Sequence, residues 1–524
     1  MANWNAASVS GRRSRALATV SAILFLTFLD TTIISVALAD VQAKMHAGVS
    51  ELQWVVSAYA LVFASLMLAA GTLGDRLGRK RMMLGGVAVF TAGSLLGALA
   101  PNVATIIAAR AIMGLGAAAC EPGTLSVIRH IYLQPAARAR ALGVWAAVSG
   151  LALALGPVIG GVLVGLGGWR NIFWFNLAAG ATVLVAALLT VPESSDPQNA
   201  RLDFAGFILG PLALATVIFA VIVGETSGYA DPGIMTLFAV GGAATVLFVI
   251  AERRSKAPML DVSYLRRPAF SGALIVAFAA YFGIFSIFFF TALYLQEVVG
   301  YSAYRIAVLF IPMATAMILA SLLTGRWVAR VGPRRPMVIG CLAAGFGLLL
   351  TTVALQGHIS FAELTLPLTL AGLGFGIAVV PVTSIALGVV PSERSGMAAS
   401  ATTTSRELGA VIGVAVLGSL VNGNLTVGLV DRLKKIPQVP KGFYNLIIQY
   451  VETGQLPAGQ SANIGGSAQV DKIVNKVVGA AYSAFHTGLD ISLIVSGIVI
   501  IGSGIVAWFT LAPKHSKGET DAWV

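Results

Sequence analysis

The chain has 524 residues, 57% of them apolar and only 11% charged, with a mean hydropathy of +0.87. A soluble protein averages about 25% charged residues, so this chain cannot hide its apolar surface from water and takes the bilayer as its solvent. The net charge of +12 would suit a nucleic-acid binder, but the cations concentrate in alternate loops between apolar segments. That is the positive-inside pattern of a membrane protein, with anionic lipid head groups as partners and no nucleic acid. The two cysteines, Cys120 and Cys341, lie in apolar segments and make no disulfide framework.

A membrane-crossing helix needs about 20 apolar residues. Fourteen segments qualify: 17–38, 52–73, 82–100, 103–127, 141–165, 171–191, 203–224, 233–251, 270–295, 303–325, 336–356, 362–389, 399–423 and 487–511. The first follows Arg12, Arg13 and Arg15 and ends near Ala37-Leu38-Ala39, which imitates a secretory signal with its cleavage site. Asp30 interrupts that run and many spans follow, so it reads as a retained first helix. An even number of spans puts both termini on one side, and the arginines put that side in the cytoplasm.

The loop from Gly71 to Arg81 joins spans 2 and 3. Gly71 and Gly78 allow a tight turn, and Asp75 and Arg79, four residues apart, meet on one side of a helical turn. The pattern recurs between spans 10 and 11. Gly71, Arg76, Gly78 and Arg81 answer to Gly325, Arg330, Gly332 and Arg335, while Asp75 becomes Ala329. Gly114-Leu115-Gly116 in span 4 answers to Gly372-Leu373-Gly374 in span 12, Gly156 and Gly160 in span 5 to Gly409 and Gly413 in span 13, and Asp40 to Glu297.

Such duplication is characteristic of secondary transporters. It predicts an all-α membrane protein with two pseudo-symmetric six-helix bundles, spans 1–6 and 9–14, and spans 7 and 8 left over as an inserted hairpin. The expected boundaries are 1–191, 192–268 and 269–524. The last unit includes a long external loop at about 424–486, with amphipathic pieces at 443–451 and 470–485 that lie on the membrane, lie on the protein or simply connect. Internal duplication makes a monomer sufficient.

Ionisable residues at membrane depth are costly and are functional hypotheses by default. Asp30 in span 1 is a candidate proton carrier. Arg110 in span 4 cannot shed its proton and must be paired or hydrated. Glu121, eleven residues further on, shares a face with Arg110 but lies about 16 Å along the axis, so the two cannot touch. Its carboxylate suits a cation or a second proton. Arg406 and Glu407 in span 13 point about 100° apart and serve different partners; Glu407 is a candidate for proton coupling or substrate binding. Tyr281, Phe285 and Phe288 of span 9 fall on one stripe, placed to stack on planar or cationic molecules or to pack helices. In span 5, Gly150, Gly156, Gly160 and Gly161 present a flat face for a neighbouring helix, and Pro157 bends it. No metal-binding His or Cys pairs and no phosphate-binding loop occur, so neither a cofactor, an enzyme nor an ATP-driven pump is indicated.

Four of these segments together resemble the signatures of the major facilitator superfamily. Gly71 to Arg81 resembles its loop after helix 2, Arg110 with Gly114 and Gly116 its helix-4 signature, and Gly150 to Gly161 the helix-5 signature of its antiporters. Asp30-Thr31-Thr32 with Val36-Ala37-Leu38 resembles the first-helix signature of the fourteen-span drug:H⁺ antiporters. The resemblance implies two bundles around a central cavity open alternately to each side, in a multi-pass cell-membrane protein that exports amphipathic, cationic or aromatic molecules in exchange for protons. It ties Arg110 to proton coupling, and Asp75, Arg76 and Arg79 to a cytoplasmic charge network that gates. Two departures stand out: Glu121 replaces a residue that is usually apolar in the family, and Arg129-His130 stands where that network's acidic partner is expected. A dedicated exporter of one endogenous compound, and a passive channel or receptor on the same fold, are the rival readings.

Overall fold

The computed structural model describes residues 6–47, 49–193, 204–255, 258–356, 360–391, 394–424, 429–434 and 468–511. The predicted amphipathic piece at 443–451 and most of the 424–486 loop lie outside the described residues. Among the described residues every regular element is helical. The first four spans are Ala6–Ile33, Val49–Leu77, Arg79–Ala98 and Val103–Ile131; the next four are Pro135–Gly167, Arg170–Thr190, Phe204–Ser227 and Pro232–Arg254. Span 9 starts at Pro268–Phe285, and spans 10 to 14 are Ala303–Val331, Arg334–Leu355, Phe361–Val389, Ser395–Gly423 and Ala468–Thr510. Thirteen are long and apolar enough to cross a membrane as single helices, and a fourteenth, span 5, qualifies once its two arms are joined across a 43° bend between Leu153 and Val158. That bend falls on the segment holding Gly156 and Pro157, as the missing backbone donor of a proline requires.

Three local departures from the expected helices occur. Span 1 leaves the α-helical path at Ile34–Ala37, a single 3₁₀ turn, before a short helix Leu38–Met45. Span 9 is interrupted at Ser286–Thr291 by a π turn and resumes as Ala292–Glu297. Span 14 begins at Ala468, so the segment 470–485, expected as a separate amphipathic piece of a loop, is instead its continuous first turns. The apolar stripe of that piece, with buried Val478, Ala481 and Ala484, runs in helical register into the span, and nothing in between breaks it.

The repeated glycines explain why the two halves pack alike. Lipid offers no hydrophobic drive between helices, so close van der Waals approach at small residues holds them together. A Cβ on Gly116 would strike the span 3 backbone at Phe90 and Gly86, and one on Gly374 the span 11 backbone at Ala344. Gly114 faces the Tyr59 backbone of span 2, and its counterpart Gly372 faces Met313 of span 10. Gly156 and Gly160 lie on Thr32 and Ile33 of span 1, and Gly409 and Gly413 on Phe278 and Phe282 of span 9. Spans 1, 3 and 6 are joined as spans 9, 11 and 14 are. Gly78 and Gly332 both adopt positive φ, +109° and +78°, so both copies of the loop turn through a conformation that favours glycine.

The halves meet along two seams, spans 2 with 13 and spans 5 with 10. Their tightest contacts lie toward the end that carries the 71–81 loop. Gly71 abuts Ser400 and Gly396, Gly143 abuts the Ser321 carbonyl, and Gly325 abuts the Ala139 carbonyl. Spans 7 and 8 pair with each other, and span 7 lies against spans 2 and 13. The stretch leading on to span 9 straps that seam. The Thr72 hydroxyl of span 2 donates to the Met259 carbonyl at 3.1 Å, and Arg394, at the start of span 13, reaches the Asp261 carboxylate at 2.7 Å.

Two outcomes test this packing. Gly156→Ala places a methyl against Thr32, whereas Gly161→Ala meets nothing within 4 Å. The first is expected to destabilise the fold by about 1–3 kcal/mol and so lower the unfolding midpoint in detergent, and the second to leave it in place; equal midpoints would mean that this face meets lipid. The Asp261 carboxyl lies below the usual aspartate range. Partial burial opposes ionisation, but the Ser263 hydroxyl and N–H and the Arg394 guanidinium outweigh it. A depressed carboxyl contributes stability above its unfolded pKa, about 3.9, and loses it as pH falls through the folded value. Asp261→Asn is therefore expected to be less stable than wild type near neutral pH, with the gap closing below about pH 4. A gap independent of pH would show that charge does not hold the strap.

Candidate functional site

Among the described residues, the predicted charged positions fall in three clusters inside the bundle. The first is confined to the N-terminal half. Asp30 of span 1 and Arg110 of span 4 are both buried, and Arg110 Nη1 donates to Asp30 Oδ2. The other carboxylate oxygen accepts from Asn176 Nδ2 of span 6 at 2.6 Å. Arg110 is held from two further sides: its Nε donates to the Val55 carbonyl at 2.9 Å, and its guanidinium lies 4.5 Å from the centre of the Tyr59 ring. Tyr59 donates its own hydroxyl to the Thr27 carbonyl of span 1 at 3.0 Å. Spans 1, 2, 4 and 6 thus converge on one ion pair. Thr31 and Thr32, the local hydroxyls that offered Asp30 a purely structural role, bond elsewhere, to the carbonyls of Phe28 and Leu153. Arg110 Nη2 and Asn176 Oδ1 have no partner. The pair is satisfied at its core and leaves these two polar atoms at its edges without a hydrogen bond among the described residues.

The second cluster lies where the halves meet. Glu121 of span 4 is 0% exposed and neither of its carboxylate oxygens has a partner. One turn on, Thr124 donates to the Glu121 carbonyl at 2.6 Å and accepts from the Trp145 indole N–H of span 5 at 3.0 Å. The face of Trp145 carries the Arg406 guanidinium of span 13 at 5.0 Å, and Tyr281 of span 9 lies 5.6 Å from the same group. Arg406 is anchored by Thr383 of span 12, whose hydroxyl accepts from Nη2 at 2.5 Å. Glu407, 6% exposed, acts electrostatically on both Glu121 and Tyr281. Five spans from both halves contribute, and each half presents a charge. Among the described residues no ion pair joins Arg406 to Glu121 or Glu407, although its guanidinium acts electrostatically on both carboxylates.

The third cluster closes the seam between spans 2 and 13. Asp75 and Arg79 meet at 2.8 Å, as their spacing requires. Arg79 also donates to the Ser395 hydroxyl at 2.8 Å, and the second Asp75 oxygen accepts from the Met397 N–H at 3.2 Å, at the N-terminus of span 13. Backbone N–H groups at a helix start favour a carboxylate. Arg76 is half-buried beside them. Gly78 leaves room for the Glu193 carboxylate, which accepts from the Lys80 N–H and lies 3.7 Å from Arg81. Where the resemblance leads one to expect an acid, Arg129 instead donates to the Val390 carbonyl at the end of span 12, at 2.7 Å. That bond too joins the two halves.

The predicted residues therefore separate. Asp30 and Arg110 share one cluster, Glu121, Glu407 and Tyr281 another, and Gly71, Asp75 and Arg79 the third. Gly150 meets Met317 across the span 5–10 seam. Phe285 is half-buried and stays in regular α-helical register with Tyr281, while Phe288 packs on Phe310 of span 10 with ring centres 5.0 Å apart; the π turn that begins at Ser286 parts Phe288 from that register. π turns are frequent at functional sites. Asn176, Tyr59, Trp145 and Ser395 complete these clusters and were not picked out from the sequence. Uncharged polar and aromatic residues in apolar helices carry no cost signal of the kind that marks a charge, although an Asn in the middle of span 6 was a usable one.

Comparison with known proteins agrees with this architecture. The sequence profile of the Major Facilitator Superfamily matches residues 20–414. The multidrug resistance protein Stp of Mycobacterium tuberculosis is 33% identical over 486 residues, covering 93% of this chain and 89% of that protein. The methylenomycin A resistance protein of Bacillus subtilis is 34% identical over 429 residues, covering 80% and 91%. The solved structure of the proton:xylose symporter XylE bound to 6-bromo-6-deoxy-D-glucose shares the fold, with a TM-score of 0.61, 15% identity, and coverage of 95% of this chain and 96% of that one. With its helices, its duplicated glycine contacts and this profile in agreement, the chain is an integral multi-pass membrane protein and belongs to the major facilitator superfamily of transporters.

Proposed function

We propose that this protein exports amphipathic small molecules, cationic or aromatic, across the cell membrane in exchange for protons, by opening a central site alternately to each side. The observation that carries the reading is Glu121. A fully buried carboxylate with no partner, beside Trp145 and Tyr281 where the halves meet, is costly to maintain unless a cation or a proton joins it. The names of the relatives support the same reading, since they include a multidrug resistance protein and a resistance protein for a single antibiotic. One chain suffices, because it contains both halves, and its basic loops face anionic lipid.

In this mechanism Asp30 is the proton carrier and Arg110 its regulator. With Asp30 ionised, Arg110 is held and spans 1 and 4 are tied together. A proton on Asp30 removes the charge that holds Arg110 and loosens that tie. The bent, glycine-faced span 5 rests on span 1 beside Thr32, so the loosening is felt at the seam that span 5 makes with span 10. Asp75 and Arg79 hold the other seam shut at the end bearing the basic loops, which is the cytoplasmic end in this reading. Glu121 and Glu407 neutralise the cationic end of the substrate, and Tyr281 with Phe285 and Phe288 lines its apolar part.

Two measurements test this reading. In everted vesicles from a pump-deficient host, Asp30→Asn is expected to lose efflux driven by a pH gradient, down to background, while still binding substrate. Glu121→Gln and Glu407→Gln are expected to weaken transport of cations more than of neutral molecules, since they remove a charge that only cations pair with. Full gradient-driven efflux by Asp30→Asn would remove Asp30 from the mechanism. For orientation, an impermeant thiol reagent applied to whole cells is expected to label Ala43→Cys and to spare Leu133→Cys, with the native Cys120 and Cys341 silent because both are buried. The reverse pattern would invert the topology and with it the direction of transport.

A further inference from the structure

Arg406 is the group in the central cluster for which proton exchange and cation binding give no account. It is 1% exposed and, as an arginine, keeps its charge. Nη2 donates to the Thr383 hydroxyl, while Nη1 is buried without a hydrogen-bond partner among the described residues. The faces of Trp145 and Tyr281 hold the guanidinium in place but supply no acceptor in its plane, where guanidinium donors point. Glu121 is its complement. It belongs to the other half, is equally buried, and has both oxygens without a donor. The two are parts of one construction, since Glu121 is tied through Thr124 to Trp145, and Trp145 carries Arg406.

We propose that the central site is built for ampholytes. The anionic oxygen of the ligand meets Arg406 Nη1 on the C-terminal half, and its cationic group meets Glu121 on the N-terminal half, with the Trp145 and Tyr281 side chains between them. This deepens the export reading and rests on it: it names the ligand class of the same site. A zwitterion satisfies both buried charges at once, whereas a simple cation satisfies Glu121 and leaves the guanidinium nitrogen without an acceptor, which is costly in a dry site. A ligand held by one charge on each half also draws the halves together. The Arg406 and Glu407 side chains diverge from adjacent positions on one helix, so the C-terminal half offers an anion site and a cation site side by side.

A matched pair of dyes separates this from cation binding: the zwitterionic free-acid rhodamine and its methyl ester, which keeps the cation and loses the carboxylate. Equilibrium binding to the full-length purified protein in lipid nanodiscs is read by fluorescence polarisation. Wild type is expected to bind the acid at least as tightly as the ester. Arg406→Gln is expected to weaken the acid about tenfold more than the ester, the effect of one charge-assisted hydrogen bond, and Arg406→Lys to restore part of the difference. Glu121→Gln is expected to weaken both dyes. Equal weakening of the two dyes by Arg406→Gln would mean that Arg406 only packs Trp145, and would overturn the proposal. Should Arg406→Gln fail to fold, the wild-type ratio decides: a tenfold preference for the ester overturns the ampholyte site while leaving cation export intact. Binding of neither dye overturns both.

Discussion

Close approach of backbones at glycine is the constraint on which the rest of this structure depends. A helix bundle in lipid gains little from burying apolar surface against apolar surface, because the alternative neighbour is equally apolar. What remains is contact at short range, and Gly116 on Phe90, Gly114 on Tyr59 and Gly156 on Thr32 provide it in one half as Gly374, Gly372 and Gly409 do in the other. These contacts set the rotation of span 4 about its axis. Once Gly114 and Gly116 face spans 2 and 3, Arg110 is directed toward span 1, and the meeting with Asp30 follows. The charge chemistry is thus positioned by residues that have no side chain.

Duplication explains the packing, and divergence from it explains the chemistry. The register that aligns Gly114 with Gly372 sets Leu368 at the place of Arg110, and the register that aligns Asp40 with Glu297 sets Ile287 at the place of Asp30; both apolar residues are fully buried. The position answering to Glu121 is Val379, and those answering to Arg406 and Glu407 are Leu153 and Ala154. Each half therefore keeps the scaffold and loses the charges of the other. A symmetric set would place like charges face to face at the seam, which is destabilising in a dry interior. The asymmetric set puts an intact ion pair within one half, and across the seam it sets Glu121 near one unlike charge, Arg406, as well as one like charge, Glu407.

The helices and their pairing were legible in the sequence because lipid imposes a length of about 20 apolar residues and because Gly, Asp and Arg stand out against an apolar background. For the same reason the buried charges Asp30, Arg110, Glu121 and Glu407 were all visible. The uncharged groups that bond to Asp30, Glu121, Arg406 and Arg79 were not. Asn176, Thr383, Ser395 and Thr124 are ordinary residues of transmembrane helices, and only their position against a charge makes them matter. Local breaks in helical register were hidden too. The π turn at Ser286–Thr291 contains neither proline nor glycine, so no local propensity announces it; tertiary packing of Phe288 on Phe310 is the visible partner of that widened turn.

The inserted pair of spans gains a meaning from where its connection runs. Span 7 lies against both span 2 and span 13, and the residues after span 8 bond to Thr72 on one side and Arg394 on the other. The same two spans are closed from inside by Asp75 on the Met397 N–H and by Arg79 on Ser395. One seam is thus fastened twice, from within by a buried charge cluster and from without by a partly exposed strap. To open it, the bundle must release both fastenings, and the outer one is an ion pair near water, worth little by itself. The strap therefore cannot hold the seam against the inner cluster. In the alternating-access mechanism proposed above, it adds to the barrier only while the inner cluster is made, so the two act in series, with Asp75 and Arg79 as the step that decides.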